Sequence, residues 1–152
     1  MNHLVIIRHG ADDDRTGGLT QLGQQQIASL GEQLGPVMVG KTLILTSTAK
    51  RARESADILR GLHGSDLEEC PLLYSGSGMV LDMKRLMELV ISYEDQVDVI
   101  VLVTHSEWAG GFPSYFFDQA FGANLQWTII MKGEAFVIDV HARSAVYIKP
   151  KI

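Results

Sequence analysis

Cysteine is all but missing from this chain: Cys70 stands alone among 152 residues. A lone thiol closes no internal disulfide and joins no cysteine-based metal cluster, so a reduced, cytoplasmic protein is expected. Cys70 precedes Pro71 and two leucines and reads as a structural thiol rather than a nucleophile. A basic surplus is missing too. The formal net charge is -5, which argues against the broad positive footprint of a nucleic-acid binder. No apolar run reaches the length of a membrane span, and the first residues lack a cationic stretch followed by an apolar core and a cleavage site. Repeats and low-complexity segments are absent. His3, His63 and His141 fall at a chain start, a helix end and a turn, with no metal-ligand spacing.

What is present suffices for one domain over residues 1–152. Hydrophobic residues make up 46% and charged residues 20%, the balance of an ordinary globular core. Leu4-Val5-Ile6-Ile7 reads as a strand buried on both faces, stopped by Arg8-His9-Gly10. Thr20 is a good N-cap for a helix carrying Leu22, Ile27, Leu30 and Leu34 and stopped by Gly35-Pro36. Lys41 to Thr46 is a second strand, and Ser47-Thr48 suits the opening of a helix over Ala49 to Leu62. Leu67 to Tyr74 predicts a short edge strand demoted by Pro71. Ser75 to Gly78 is a loop, and Val80 to Ile91 predicts a third helix. Val97 to Thr104 is the strongest strand, ending at His105. A helix is expected after Pro113, through Phe121. Closing strands are expected at Trp127 to Met131, Ala135 to Val140 and Ala145 to Ile148, the last two as a hairpin. The alternation predicts an α/β fold, a three-layer α/β/α sandwich with a mostly parallel central sheet.

Two buried strands thus each deliver a histidine to their C-terminal end, where open α/β sheets place ligands. Lys50, Arg51 and Arg53 crowd the first turns of the second helix, against the helix dipole. One cation there makes sense if it serves an anion bound at that end; Arg51 is the candidate, and Lys50 and Arg53 read as a solvated face. With the strands parallel and adjacent, Arg8, His9, Arg51 and His105 converge. Two guanidiniums and two imidazoles suit a tetrahedral dianion, and a histidine can also act as nucleophile.

These residues resemble the histidine phosphatase, or phosphoglycerate mutase-like, superfamily. Its Arg-His-Gly stands here as Arg8-His9-Gly10, its Leu-Thr-x-x-Gly as Leu19-Thr20-Gln21-Leu22-Gly23. Its Ser-x-x-x-Arg-Ala-x-x-Thr-Ala segment is matched by residues 47–56, and its second histidine by His105. The superfamily's usual proline after the serine is Thr48 here, and its small residue after the second histidine is replaced by Ser106-Glu107-Trp108. In length and short loops the chain is similar to the branch typified by the SixA phosphohistidine phosphatases.

The resemblance implies a phosphoglycerate mutase-like fold and a metal-independent phosphatase without cofactor. His9, neutral and with its other ring nitrogen donating to a backbone carbonyl, would be phosphorylated and then hydrolysed. Arg8, Arg51 and His105 would bind the phosphoryl oxygens, His105 as a cation. Glu107, or one of Asp12, Asp13 and Asp14, would be the general acid, unless none is needed. The implied partner is a phosphorylated protein or a small phosphorylated metabolite. A small-molecule phosphomonoesterase, a mutase-like protein and a non-catalytic phosphate-binding domain are the alternatives. Specificity is expected from rim loops at Asp12 to Gly18, Ser75 to Gly78 and Glu107 to Phe112. The oligomeric state is left open.

Overall fold

The alternating apolar strands of the sequence assemble into one six-stranded sheet in a computed structural model, which describes residues 1–125 and 130–152. The strands are β1 (His3–Arg8), β2 (Thr42–Thr46), β3 (Asp66–Glu69), β4 (Val99–Thr104), β5 (Ala135–Asp139) and β6 (Ser144–Ile148). Their order across the sheet is β3-β2-β4-β1-β5-β6. The run β3-β2-β4-β1 is parallel, β5 lies antiparallel to β1, and β5 and β6 form the expected hairpin. The helices are α1 (Gln21–Gln33), α2 (Lys50–His63), α3 (Met83–Ser92) and α4 (Ser106–Phe121).

Successive strand residues point to opposite faces, so the central strands feed two cores. Val5, Ile7, Ile44, Val101 and Val103 pack with Ile27 and Leu30 of α1 and Ala52, Ala56 and Leu59 of α2. Leu4, Ile6, Leu45, Ile100 and Leu102 pack with Leu86 and Val90 of α3 and Trp108 and Phe112 of α4. Burial on both faces explains why these strands read as near-continuous apolar runs. The result is the three-layer α/β/α arrangement.

Several boundaries differ from the sequence reading. Helix α3 starts at Met83, where the Asp82 side chain caps the Arg85 N–H; Val80, expected in the helix, is 96% exposed. Residues 66–74 divide into the edge strand β3 and a 3-10 turn at Pro71–Leu73, opened by the proline. The largest correction concerns α4. It begins at Ser106, directly after β4, and contains Pro113. Glu107 to Phe112, expected as a rim loop, is therefore helix, with Trp108, Ala109 and Phe112 buried in the core. Gly111 sits against α3 rather than in a turn: a Cβ there would lie 2.8 Å from the Met83 Cε. Of the strand expected at residues 127–131, Trp127 to Ile129 lie outside the described residues, and Ile130 and Met131 are irregular and lead into the turn at Lys132-Gly133.

Candidate active site

Strand register sets the histidines side by side. Arg8 pairs with Thr104 across β1 and β4, so the next residues, His9 and His105, leave the sheet at the same level. The pairing runs on past the strand ends: the His9 N–H donates to Thr104 O at 3.0 Å, and the Ser47 N–H beyond β2 donates to Val103 O at 2.9 Å. Both rings are buried, 4% and 3% exposed, with centroids 5.2 Å apart.

Arg51, in the first turn of α2, ties the rings together. Its Nε donates to His9 Nε2 at 3.2 Å, and its Nη2 reaches His105 Nδ1 at 3.3 Å. Each contact is to a ring nitrogen that must therefore carry a lone pair. The tautomers follow from the partners on the opposite sides. His9 Nδ1–H donates to the Gly10 carbonyl at 2.8 Å, and His105 Nε2–H donates to Ser47 Oγ at 2.7 Å. The backbone carbonyl expected behind His9 is thus Gly10. Behind Arg51, Ser55 accepts the Gly10 N–H at 3.1 Å and donates to the Arg51 carbonyl at 2.8 Å, locking β1's exit onto α2. Arg8 reaches the Ile130 carbonyl through Nη1 at 3.1 Å, while its Nε is buried without a hydrogen-bond partner among the described residues. Lys50 and Arg53 are exposed, as their reading as a solvated face requires, and Arg53 faces Glu69 at 3.6 Å.

These four residues line a cavity of about 350 Å³. Its mouth is edged by Asp12, Asp14, Ser75, Ser77, Glu107 and Lys132. Asp12 pairs with Lys132 at 2.7 Å, and its carboxyl lies below the usual range because that cation outweighs the cost of burial. Asp13 caps the local turn by accepting the Arg15 N–H and does not line the cavity. Glu107 lies in the first turn of α4. Its Oε1 accepts from Ser75 Oγ at 2.9 Å, and its Oε2 from Ser106 Oγ. Burial opposes its ionisation, yet these hydroxyl donors hold its carboxyl below the usual range.

The electrostatics favour two neutral rings when no anion is bound. Burial, reinforced by the Arg51 and Arg8 cations, pushes His9 down to about 4 against the pull of Gly10 and Asp12. Burial, His9 and Arg51 push His105 to about 4 as well. A neutral His9 agrees with the sequence reading. The cationic His105 expected from sequence does not hold in this state, because the ring shares one buried site with Arg51. Bound dianion would reverse the sign of that local field.

Sequence reasoning missed Ser47, Ser55 and Lys132 as site residues; it placed Ser75 in a rim loop, as found, without a role for its hydroxyl. Ser47 carried a signal: it follows β2 directly, as His9 follows β1 and His105 follows β4. Its Oγ accepts the Ala49 N–H at 3.3 Å where α2 opens, and it also fixes the His105 tautomer. Among the described residues, no group of three or more His, Cys, Asp or Glu side chains is arranged to hold a metal ion, and no helix is long and apolar enough to cross a membrane.

Residues 4–81 match the family described as the histidine phosphatase superfamily (branch 1). Over 83 residues the chain is 30% identical to the serine/threonine-protein phosphatase Pgam5, mitochondrial, of Drosophila grimshawi; the match covers 49% of this chain and 29% of that protein. The aligned stretch thus spans less than a third of that relative. Among solved structures, a putative phosphohistidine phosphatase SixA from Nakamurella multipartitia superposes with TM-score 0.76 at 16% identity, covering 99% of this chain and 97% of the other. The protein histidine phosphatase SixA complexed with tungstate superposes with TM-score 0.68 at 17% identity, covering 95% and 93%. At these identities the structural likeness concerns the fold.

Proposed function

The chain belongs to the histidine phosphatase superfamily, and we propose that it is a metal-independent phosphatase that works through a phosphohistidine on His9, acting on phosphohistidine or other phosphoprotein substrates. The observation that carries this reading is Arg51 held between His9 Nε2 and His105 Nδ1. Both ring lone pairs and a fork of N–H donors face one point, and Arg8 lines the same cavity. A phosphoryl group at that point exchanges the Arg51–histidine contacts for bonds to its oxygens.

In the first step His9 Nε2 attacks phosphorus while its Nδ1–H stays on the Gly10 carbonyl. Arg8 and Arg51 bind the equatorial oxygens, and His105, proton-loaded once the dianion is present, donates a third bond. The fixed cations supply the charge stabilisation for which other phosphatases use a metal. In the second step water displaces His9 and releases phosphate. One neighbour of the same fold is a complex with tungstate, a tetrahedral oxyanion, in keeping with an oxyanion at this place. The cavity lining comes from strand ends, short loops and a helix N-terminus, an open arrangement suited to a phosphoryl group on a protein side chain. A buried, reduced Cys70 fits a cytoplasmic location.

Phosphoenzyme trapping tests this. The protein is incubated with a labelled phosphodonor in EDTA and quenched in alkali, beside His9→Ala. A base-stable, acid-labile adduct in the wild type alone is expected. No adduct and no turnover from aryl phosphate would replace the enzyme with a phosphate-binding domain. Turnover confined to small phosphomonoesters would move the substrate class away from proteins.

A further inference from the structure

Glu107 has no role in holding the phosphoryl group, yet it is built into the cavity wall with more care than a rim residue needs. It is fixed from two elements at once, by Ser106 on its own helix and by Ser75 on the loop after the 3-10 turn. It lies in the first turn of α4, where unpaired backbone N–H groups favour an anion. The other carboxylates of the mouth differ. Asp12 is committed to Lys132, and Asp14 is exposed. Among the described residues no cation pairs with Glu107. A carboxylate has about four lone-pair positions; the two hydroxyls and its own backbone N–H leave acceptor capacity on a side chain that lines the cavity.

In-line displacement by His9 drives the leaving group away from His9, and Glu107 and Ser75 line the cavity into which it departs. We propose that Glu107, tethered by Ser75 and Ser106, selects the leaving group by accepting a hydrogen bond from the far ring N–H of a phosphorylated imidazole, favouring N-linked over alkyl O-linked phosphoryl groups. This rests on the phosphatase reading above and narrows its substrate class.

The balance of the step supports the choice. His9 Nε2 forms its bond to phosphorus as the P–N bond to the substrate's imidazolium breaks. The bonding pair returns to that nitrogen, and the ring leaves as neutral imidazole, keeping the proton on its far nitrogen. The enzyme supplies no proton; it needs only an acceptor that keeps the substrate ring protonated. An alkyl phosphate leaves as an alkoxide and must be given a proton. The donors on Glu107 hold its carboxyl ionised, so it is a poor source of that proton. Glu107 is therefore better suited to the acceptor's task than to the general acid's.

The test compares kcat/KM for N-phosphoimidazole, an aryl phosphate and an alkyl phosphate on the wild type and on Glu107→Gln. The wild type is expected to prefer N-phosphoimidazole and to turn over the alkyl ester least. In Glu107→Gln the ratio of N-phosphoimidazole to aryl phosphate turnover is expected to fall about ten-fold or more, since a bond to a charged acceptor is lost. An unchanged ratio, with both substrates still turned over, overturns the inference and leaves the phosphatase reading standing. Wild-type turnover of neither substrate overturns the phosphatase reading itself. Should Glu107→Gln fail to fold, the wild-type series decides alone: an alkyl ester hydrolysed as readily as the aryl ester means a proton is being delivered, which overturns the inference.

Discussion

Lowering the pH from 7 to 5 without ligand should destabilise this protein through its own active site. His9 and His105 are buried and held at about 4 in the fold, against 6.5 for an unperturbed ring. Between those values the unfolded chain binds protons that the folded chain refuses, so stability falls as pH falls, from about 6.5 down to about 4. Each ring then costs about 2 kcal/mol between pH 7 and pH 5, and about 3 kcal/mol by pH 4. Treated as independent, the pair removes about 4 kcal/mol by pH 5, a large part of the ~5–15 kcal/mol that holds a typical domain folded. Urea titrations at pH 7 and pH 5 measure the difference, on the wild type and on the double variant His9→Gln/His105→Gln. The wild type should lose about 4 kcal/mol more than the double variant over this interval. Saturating inorganic phosphate should flatten the wild-type dependence, because a bound dianion favours the protonated rings. Parallel losses in the two proteins would refute the claim that the site refuses protons.

Arg51→Lys keeps a cation but loses the fork that reaches both histidines, and kcat/KM for an aryl phosphate is expected to fall about 100-fold or more; a change of less than ~5-fold would remove Arg51 from the centre of the proposed mechanism. Ser47→Ala frees the buried His105 Nε2–H and should cost about 1–3 kcal/mol of stability in urea while lowering kcat more than it raises KM; unchanged stability and kcat would mean that the tautomer is set elsewhere. Gly23→Ala would place a Cβ 2.0 Å from the Ala11 carbonyl, so thermal or urea unfolding should show a loss of about 1–3 kcal/mol from forced displacement of α1; wild-type stability would show that the close approach is dispensable.

The central strands were legible because burial on both faces leaves an unmistakable apolar run, and their ends because Arg8-His9 and His105 interrupt such runs abruptly. Parallel, adjacent strands then suffice to bring the two histidines together, and β1 and β4 are paired neighbours in the sheet. What the sequence concealed lies where one helical residue faces the site and the next faces the core. Ser106 and Glu107 meet the cavity, whereas Trp108, the following residue, is 1% exposed and packs against Phe112. Sequence alone places Glu107 to Phe112 in a rim loop, with Gly110 and Gly111 inside it. In the fold Gly111 lies against the Met83 side chain of α3, and Ala109 is buried in the core. The residues after His105 thus answer to two demands at once, packing on one side of the helix and leaving-group chemistry on the other.

The charge state of the site was hidden for a different reason. Ionisation depends on shared burial, which no single residue announces. Two histidines and two arginines in sequence suggest a strongly cationic pocket, yet with both rings held neutral the positive charge rests on Arg8, Arg51 and Lys132, the last already paired with Asp12. In the mechanism proposed above, the site gains part of its positive charge only when the anion arrives, by proton uptake onto His105. That coupling keeps His9 Nε2 unprotonated as a nucleophile before binding, because the cation and desolvation that depress one ring depress the other. It also predicts that affinity for sulfate, which stays dianionic across this range, rises as pH falls toward 5, with proton uptake on binding measurable by calorimetry in buffers of different ionisation enthalpy. Binding without proton uptake at pH 7 would mean that His105 meets the phosphoryl group as a neutral donor, and that the arginines alone carry the charge.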